Sequence, residues 1–215
     1  MTESQWAEFD RWPKFLTVDP ADRKAWLMLW GAINPRDEYI FFEEWPQDHY
    51  WDFPFMDFGA EGYVELINRI EGGGNSWGRP MKNVVWRIMD PHFGLSAKAD
   101  MGLNLRDMMA QVGMSFECKL REDIETGHAA VRQRLWDGTL MVTPNCNNLR
   151  YAFARYTYDE YIDNPMGLLH KPKPREEFKD PMDALRYGIR ADLHYIDLEH
   201  DYLLPQRRVR NLGAS

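Results

Sequence analysis

The sequence contains very little cysteine. Cys118 and Cys146 are the only two cysteines in 215 residues, and no CxxC pair occurs. Neither a zinc knuckle nor a disulfide framework is therefore indicated, because both need closely spaced or numerous cysteines. This cysteine usage favours a reducing cytoplasm as the setting of the protein.

Long hydrophobic runs are missing as well. The longest clear apolar run covers residues 26–33, whereas a helix that crosses a bilayer needs about 20 apolar residues. The N-terminus has no basic segment followed by an apolar one, so no signal peptide is expected. The sequence predicts no association with a membrane.

Positive charge is also scarce. The chain has 26 Lys and Arg against 34 Asp and Glu, which gives a formal net charge of −8. Proteins that bind DNA tightly by themselves usually carry a basic excess, because neutralisation of phosphates drives that binding. Strong autonomous DNA binding is therefore not expected, although an acidic chain can still build a metal site from clustered carboxylates.

Hydrophobic residues, in contrast, are plentiful. They make up 44% of the chain, including 9 Trp, 10 Tyr and 11 Phe, which suffices for one sizeable core. We expect most of these aromatic residues to be buried. The predicted organisation is a leader or linker over residues 1–12, one domain over 13–200, and a basic tail over 201–215.

The apolar pattern predicts a mixed α/β sheet. Five main strands and a possible short sixth are predicted, at residues 14–18, 26–33, 39–44, 83–89, 139–142 and, for the short one, 114–118. Helices are predicted around residues 63–70, 103–112, 124–135, 147–156 and 181–196. The first three strands form an antiparallel meander, because a short turn joins the second to the third. With helices on both faces of the sheet, this is the element order of an RNase H-like fold.

Two aspartates share a local context in this pattern. Asp19 and Asp90 each follow an apolar strand and precede a proline. Carboxylates at the ends of adjacent strands can converge at one edge of a sheet and hold a hard cation such as Mg²⁺. The alternative is that each Asp-Pro pair is turn chemistry, with the carboxylate accepting from a nearby backbone N–H.

A third and a fourth aspartate lie at the start of the last predicted helix. Asp180 can be the N-cap there, with Pro181 at the first helical position and Asp183 in the first turn. The same two carboxylates are three residues apart, so they face the same way and could bind a metal ion. Both interpretations stay open at this point.

The motifs resemble those of a known family. The segment KDPMDALRYGI resembles the final nuclease motif of tailed-phage terminase large subunits, approximately D-H-x-x-D-A-x-R-Y. KFLTVDPADRKAWLMLWGAI and NVVWRIMDPHFG are similar to the strands that carry the first two acidic residues of that family. REDIETGHAAVRQRLWDGTLMVTPNC resembles the region between the second and third acidic motifs. The resemblance runs from about residue 14 to residue 196.

The resemblance implies a function and a site. Asp19, Asp90 and Asp183 take the roles of metal ligands and catalytic residues, and Asp180 replaces a frequent His as a fourth ligand or a supporting group. The implied activity is endonucleolytic hydrolysis of concatemeric viral DNA by two Mg²⁺ or Mn²⁺ ions. The implied partners are double-stranded DNA, bound weakly by this chain alone, the terminase ATPase domain, the small terminase subunit and the portal.

The implied location is the host cytoplasm, at the procapsid portal during packaging. The sequence has no G-x-x-x-x-G-K-[ST] phosphate-binding loop. If the resemblance holds, the chain is the C-terminal nuclease part without the motor, either as a fragment of the larger subunit or as a natural product.

Two other functions are compatible with the residues. Asp90, Glu117 and Lys119 fit the pattern of a PD-(D/E)xK nuclease, in which both acids hold one metal ion and the lysine assists the water. Alternatively, the aromatic and acidic stretch over residues 45–58 could be an exposed docking surface of a non-catalytic packaging or portal-binding module.

Two further groups of residues are candidates for the site. Lys171, Lys173 and Arg175 form a basic loop before the last helix that could contact the DNA backbone. His92, two residues after Asp90, is the one histidine that we place near the carboxylates.

Overall fold

The computed structural model of the chain describes residues 1–47, 50–54, 58–96, 102–119, 124–157 and 178–198. The strands are β1 (Lys14–Asp19), β2 (Leu27–Ile33), β3 (Tyr39–Trp45), β4 (Val84–Met89) and β5 (Leu140–Val142). The helices are α1 (Glu3–Arg11), α2 (Gly59–Glu71), α3 (Pro91–Leu95), α4 (Leu105–Gln111), α5 (Ile124–Trp136), α6 (Asn147–Phe153) and α7 (Lys179–Arg190), with a 3₁₀ turn at Tyr50–Asp52.

The five strands form one mixed sheet in the order β4-β1-β2-β3-β5. Strands β1, β2 and β3 are the predicted antiparallel meander, while β4 pairs parallel to β1 and β5 pairs parallel to β3. The predicted fold class is therefore confirmed: a mixed α/β sheet with an antiparallel three-strand meander.

Helices cover both faces of the sheet, also as predicted. Alternate residues of a strand point to opposite faces, and accordingly Phe15 packs into one core and Leu16 into the other. The core around Phe15 contains residues of α5, α6 and α7. The core around Leu16 contains residues of α1, α2 and α4.

The segment interpreted as a leader forms α1, which the apolar pattern did not predict. Thr2 and Gln5 make a reciprocal capping box at its N-terminus, a known start signal for a helix. At the C-terminal end of α1, the buried Lys14 Nζ donates to Phe9 O over 2.8 Å. A cation at this end of a helix complements the helix dipole. The helix is thus fixed at both ends, and Phe9 is buried against the sheet.

Two other local predictions need correction. The strand predicted over residues 114–118 is only a single parallel bridge between Ile88 and Glu117. The last helix ends at Arg190, well before residue 196. Two residues after this end, Asp192 has a φ of 53°, which is in the left-handed region and does not continue a helix.

Gly188 lets α7 approach the sheet closely. A Cβ at this position would lie 2.9 Å from Thr17 Cγ2 and 3.1 Å from Phe15 Cε2. The absence of a side chain therefore allows direct contact between α7 and β1, which fixes the position of the aspartates on α7.

No helix in the described part of the chain is both long enough and apolar enough to cross a membrane.

Candidate active site

Parallel pairing of β1 with β4 brings two of the predicted aspartates together. Val18 pairs with Met89, so the next residues, Asp19 and Asp90, leave the sheet side by side. The backbone N–H of Asp90 donates to Val18 O at 3.2 Å. This is the convergence expected of carboxylates that follow neighbouring parallel strands.

Asp90 is also a helix cap. Its Oδ1 accepts from the backbone N–H of His92, and its Oδ2 from that of Phe93, each over 3.1 Å. It is the N-cap of α3, with Pro91 at the first helical position. The turn interpretation of this Asp-Pro pair is correct, and it coexists with a place in the site, because each carboxylate oxygen can accept more than one bond.

Helix α7 brings Asp180 and Asp183 to the same place. Both are buried, with 8% and 5% of their surface exposed. Neither caps the helix, because the N-cap is Phe178, which has a φ of 63° and makes no capping bond from its side chain. Of the two interpretations of Asp180, the N-cap is therefore wrong, because the left-handed Phe178 starts the helix two positions earlier.

Arg186 holds Asp183 one turn along the same helix. Its Nη2 lies 2.9 Å from Asp183 Oδ1, and both side chains are almost fully buried. The guanidinium reaches this position across Gly127 of α5, where an added Cβ would lie 2.4 Å from Arg186 Cδ. Burial raises the pKa of Asp183, and Arg186 opposes that rise.

Asp180 is held by two residues from distant parts of the chain. The hydroxyl of Tyr50, in the 3₁₀ turn, donates to Asp180 Oδ2 at 2.6 Å. Lys24, in the loop between β1 and β2, forms an ion pair with the same oxygen. Sequence reasoning missed both residues, and no local pattern points to them, because the contacts span 130 and 156 positions.

Unbalanced negative charge collects around Asp19. Burial raises its pKa well above the ordinary value, and the carboxylates of Asp180, Asp183 and Asp90 raise it further. Lys24 opposes the shift. Tyr187 is close enough to feel the same charge, since burial followed by Asp19 raises the pKa of its phenol. A cation close to Asp19 would therefore be favoured.

The four aspartates line one open cleft of about 1260 Å³. His92 lines it too, as predicted, together with Cys118. Its cationic lining consists of Arg23, Lys24, Lys119, Lys179, Arg186 and Arg190. The cleft thus combines a carboxylate centre with basic side chains.

The donor set fits a hard divalent cation in its chemistry. Carboxylate oxygens are the ligands that Mg²⁺ and Mn²⁺ prefer, and few of them are needed because Mg²⁺ keeps several waters. In the conformation described here, however, no three His, Cys, Asp or Glu side chains of the described ranges are arranged to hold a metal ion. Lys24 and Arg186 bind two of the carboxylates instead, so binding of a metal ion requires side-chain movement.

The residues of the alternative nuclease pattern do not come together. Glu117 is exposed and does not line the cleft, because its backbone pairs with Arg87 and Met89 at the edge of β4. Lys119 lines the same cleft as Asp90, and its ammonium donates to Ala191 O. The arrangement therefore lacks one of the two acids that a PD-(D/E)xK site needs.

Most of the described residues in the predicted docking stretch, 45–47, 50–54 and 58, are buried or partly buried rather than exposed. Tyr50 is buried, and the Trp45 ring packs on Phe53 and Phe58. Trp51, with 37% of its surface exposed, is the large aromatic residue left at the surface among those described in this stretch. Lys171, Lys173 and Arg175 lie outside the described residues.

Solved structures with a similar fold were found, although no protein-family model and no curated protein matches the sequence. The P22 large terminase nuclease domain aligns with a TM-score of 0.62 and 15% identity, over 88% of this chain and 86% of that domain. The large terminase nuclease of thermophilic phage G20c, with bound magnesium, aligns with a TM-score of 0.54 and 8% identity, over 83% and 81% of the two chains.

A longer relative matches through part of its length. The large terminase of a second thermophilic bacteriophage aligns with a TM-score of 0.62 and 15% identity over 85% of this chain, which spans 39% of that longer protein. These alignments agree with the resemblance carried by the sequence motifs. The chain has the fold of the nuclease domains of phage large terminases.

Proposed function

We propose that this chain is the metal-dependent endonuclease domain of a phage terminase large subunit, acting on concatemeric viral DNA. The observation that carries the proposal is the convergence of Asp19, Asp90, Asp180 and Asp183 in one cleft of a terminase nuclease fold. The bound magnesium of the G20c nuclease supports a divalent cofactor for the same fold.

The four carboxylates have different roles in this proposal. Asp19, Asp90 and Asp183 hold Mg²⁺ or Mn²⁺, and Asp180 is either a fourth ligand or a supporting group. When bound, two such ions would activate a water and stabilise the leaving oxygen of the phosphodiester. Two backbone N–H groups fix the direction of the Asp90 carboxylate, and Arg186 fixes that of the Asp183 carboxylate.

The burial of Asp19 is consistent with this role. Burial raises its pKa most, and repulsion from the other three carboxylates raises it further; a divalent cation would relieve that repulsion. The cation would also compete with Lys24 and Arg186 for Asp180 and Asp183.

The proposed assembly follows from the same family. The large terminase of the second thermophilic phage is longer than this chain, which covers 39% of it, and structures of that terminase include complexes with ATP-gamma-S and ADP. We propose that an ATPase domain and the portal hold the DNA, with the small terminase subunit as a further partner, in the host cytoplasm at the procapsid. The net charge of −8 accords with weak DNA binding by this chain alone.

The test is cleavage of supercoiled plasmid by the purified chain with Mg²⁺ or Mn²⁺, and with EDTA as the control. We expect nicked and linear products with either metal and none with EDTA. The variants Asp19→Asn, Asp90→Asn and Asp183→Asn are each expected to abolish cleavage. Asn is preferred to Ala at position 90, because it keeps an acceptor for the cap of α3.

The matched control is Asp107→Asn, which changes an aspartate on α4 that does not line the cleft. Its cleavage should equal that of the unmodified chain. Cleavage at the unmodified rate by one of the three site variants removes that residue from the proposal. A lack of cleavage with both metals, even at high protein concentration, contradicts nuclease activity for this chain.

The PD-(D/E)xK alternative predicts a different result for a Glu117 variant. It requires Glu117, which is exposed and outside the cleft, so Glu117→Gln should leave cleavage unchanged under our proposal. Loss of cleavage in a folded Glu117→Gln variant would favour the alternative.

A further inference from the structure

The cleft differs in charge from the rest of the molecule. The chain has a net charge of −8, yet the cleft is lined by six Lys and Arg side chains and five aspartates. Lys24 and Arg186 are paired with carboxylates of the centre. The basic lining of the cleft is completed by four further residues, Arg23, Lys119, Lys179 and Arg190. Lys119, Lys179 and Arg190 also interact with other residues of the chain.

Two of these four residues, Lys179 and Arg190, lie on one face of α7, with Asp183 between them. Lys179, Asp183, Arg186 and Arg190 are spaced by four, three and four positions, which places them along one side of a helix. The cations at the two ends are eleven positions apart, which is about 16 Å along the axis. That length corresponds to about five steps of a DNA strand at 3.4 Å per step.

The other two cations extend this pattern at opposite ends of the helix. The ion pair of Lys24 with Asp180 places the β1–β2 loop, and with it Arg23, beside the start of α7. The bond from Lys119 to Ala191 O places Lys119 beside the end of α7, next to Arg190. The carboxylate centre therefore lies between two basic groups.

The four outer basic residues are more exposed than Asp183 and Arg186 of the carboxylate centre. Arg23 and Lys119 are exposed, and Lys179 and Arg190 are partly exposed, whereas Asp183 and Arg186 are buried. The outer cations can therefore reach a ligand that lies across the mouth of the cleft, while the buried Asp183–Arg186 pair lies below it.

We propose that a DNA strand crosses the cleft along α7, with Arg23 and Lys179 contacting backbone phosphates on one side of the carboxylates and Lys119 and Arg190 on the other. Contacts to phosphates position a strand without reading its sequence. This inference rests on the proposed function for its ligand class, and it adds the path of the strand and the residues that hold it.

The test is binding of a fluorescently labelled DNA duplex, measured by anisotropy in EDTA over a series of salt concentrations. The variants are Arg23→Gln, Lys119→Gln and the double variant. Each lost phosphate contact should lower the magnitude of the salt slope by about 1. We therefore expect severalfold weaker binding at low salt for each single variant and a larger loss for the double variant.

The control variant is Arg36→Gln. Arg36 is exposed in the β2–β3 turn, at the opposite end of the sheet from Asp19, and it does not line the cleft. Its salt slope and affinity should equal those of the unmodified chain. A double variant that behaves like Arg36→Gln, or an unmodified chain that binds no DNA at low salt, overturns the inference.

Cleavage of plasmid by the unmodified chain separates the two proposals. If the chain cuts DNA and the double variant keeps the full salt slope, the strand path is wrong and the nuclease stands. If the chain cuts nothing with either metal but the slopes fall as expected, the strand path stands and the nuclease is contradicted.

Discussion

The hydroxyl of Tyr50 donates to Asp180 Oδ2 over 2.6 Å, although the two residues are 130 positions apart. Tyr50 is itself buried, and the carboxylate beside it further raises the pKa of its phenol, which burial has already raised. The hydroxyl is therefore a permanent donor that fixes the direction of Asp180.

The first prediction tests this bond with Tyr50→Phe. The ring stays in place, so the fold should be retained, while Asp180 loses the bond from the Tyr50 hydroxyl and keeps the ion pair with Lys24. Loss of such a supporting bond typically costs roughly 10-fold to 100-fold in metal affinity or activity. The measurement is the Mn²⁺ concentration that gives half-maximal plasmid cleavage.

Tyr39→Phe is the matched control for Tyr50→Phe. It removes another buried tyrosine hydroxyl, which donates to Leu193 O away from the cleft. It should lower the free energy of unfolding without changing the Mn²⁺ dependence. An unchanged Mn²⁺ dependence in Tyr50→Phe would show that Asp180 does not support metal binding.

The second prediction concerns the charge at Asp19. Because burial and three other carboxylates disfavour its ionised form, Asp19→Asn should raise the melting temperature of the metal-free protein at neutral pH. Mn²⁺ should stabilise the unmodified chain, since a ligand that binds only the folded state raises its stability. It should stabilise the variant much less.

Thermal melts with EDTA and with Mn²⁺ check both parts of this prediction. Glu65→Gln, an exposed acid on α2, controls for the general loss of one negative charge. A melting temperature of Asp19→Asn below that of the unmodified chain in EDTA would contradict the expected repulsion.

The third prediction tests the close approach of α5 to α7 at Gly127. An added methyl group would lie 2.4 Å from Arg186 Cδ and 2.6 Å from Cγ, so the Arg186 side chain must shift, and we expect its bond to Asp183 to weaken. Overpacking of this kind costs about 1–3 kcal/mol of stability. Gly127→Ala should therefore lower both the free energy of unfolding in urea and the rate of plasmid cleavage.

Thr126→Ala is the neighbouring control, because Thr126 is exposed on the same helix. It should change neither quantity. If Gly127→Ala were as stable and as active as the unmodified chain, Arg186 would have another position that serves Asp183 equally well.

The fourth prediction is a pH dependence from His128 on α5. Burial lowers its pKa below the ordinary value, and Arg186 of α7 and Arg132 of its own helix lower it further. Tyr156 Oη lies 3.3 Å from its Nε2. The unfolded chain thus binds a proton here more readily than the folded one, so His128 lowers stability as the pH falls through the unfolded pKa near 6.5.

We expect His128→Gln to lose less stability than the unmodified chain between about pH 7.5 and pH 5.5, on either side of that unfolded pKa. Urea unfolding at several pH values measures this difference. His194→Gln is the control, because the His194 side chain is 60% exposed. Parallel curves for His128→Gln and the unmodified chain would mean that His128 does not contribute to the pH dependence.

Much of the fold could be predicted from local sequence. The apolar runs of β1 and β2 are buried along nearly their whole length, so their composition alone indicates central strands. The prolines after Asp19 and Asp90 mark the strand ends, and parallel pairing then places both aspartates at one edge. The motif around Asp183 likewise identified the helix that completes the centre.

The tertiary structure decided which groups stabilise those aspartates. Tyr50 and Lys24 reach Asp180 only because the 3₁₀ turn and the β1–β2 loop pack against α7, and no spacing in the sequence encodes such a contact. Local rules allowed Asp180 to be either a cap or a metal ligand, and the cap is excluded because the left-handed Phe178 starts the helix earlier. Local propensity determines which elements form, whereas packing between distant segments determines the partners of each buried charge.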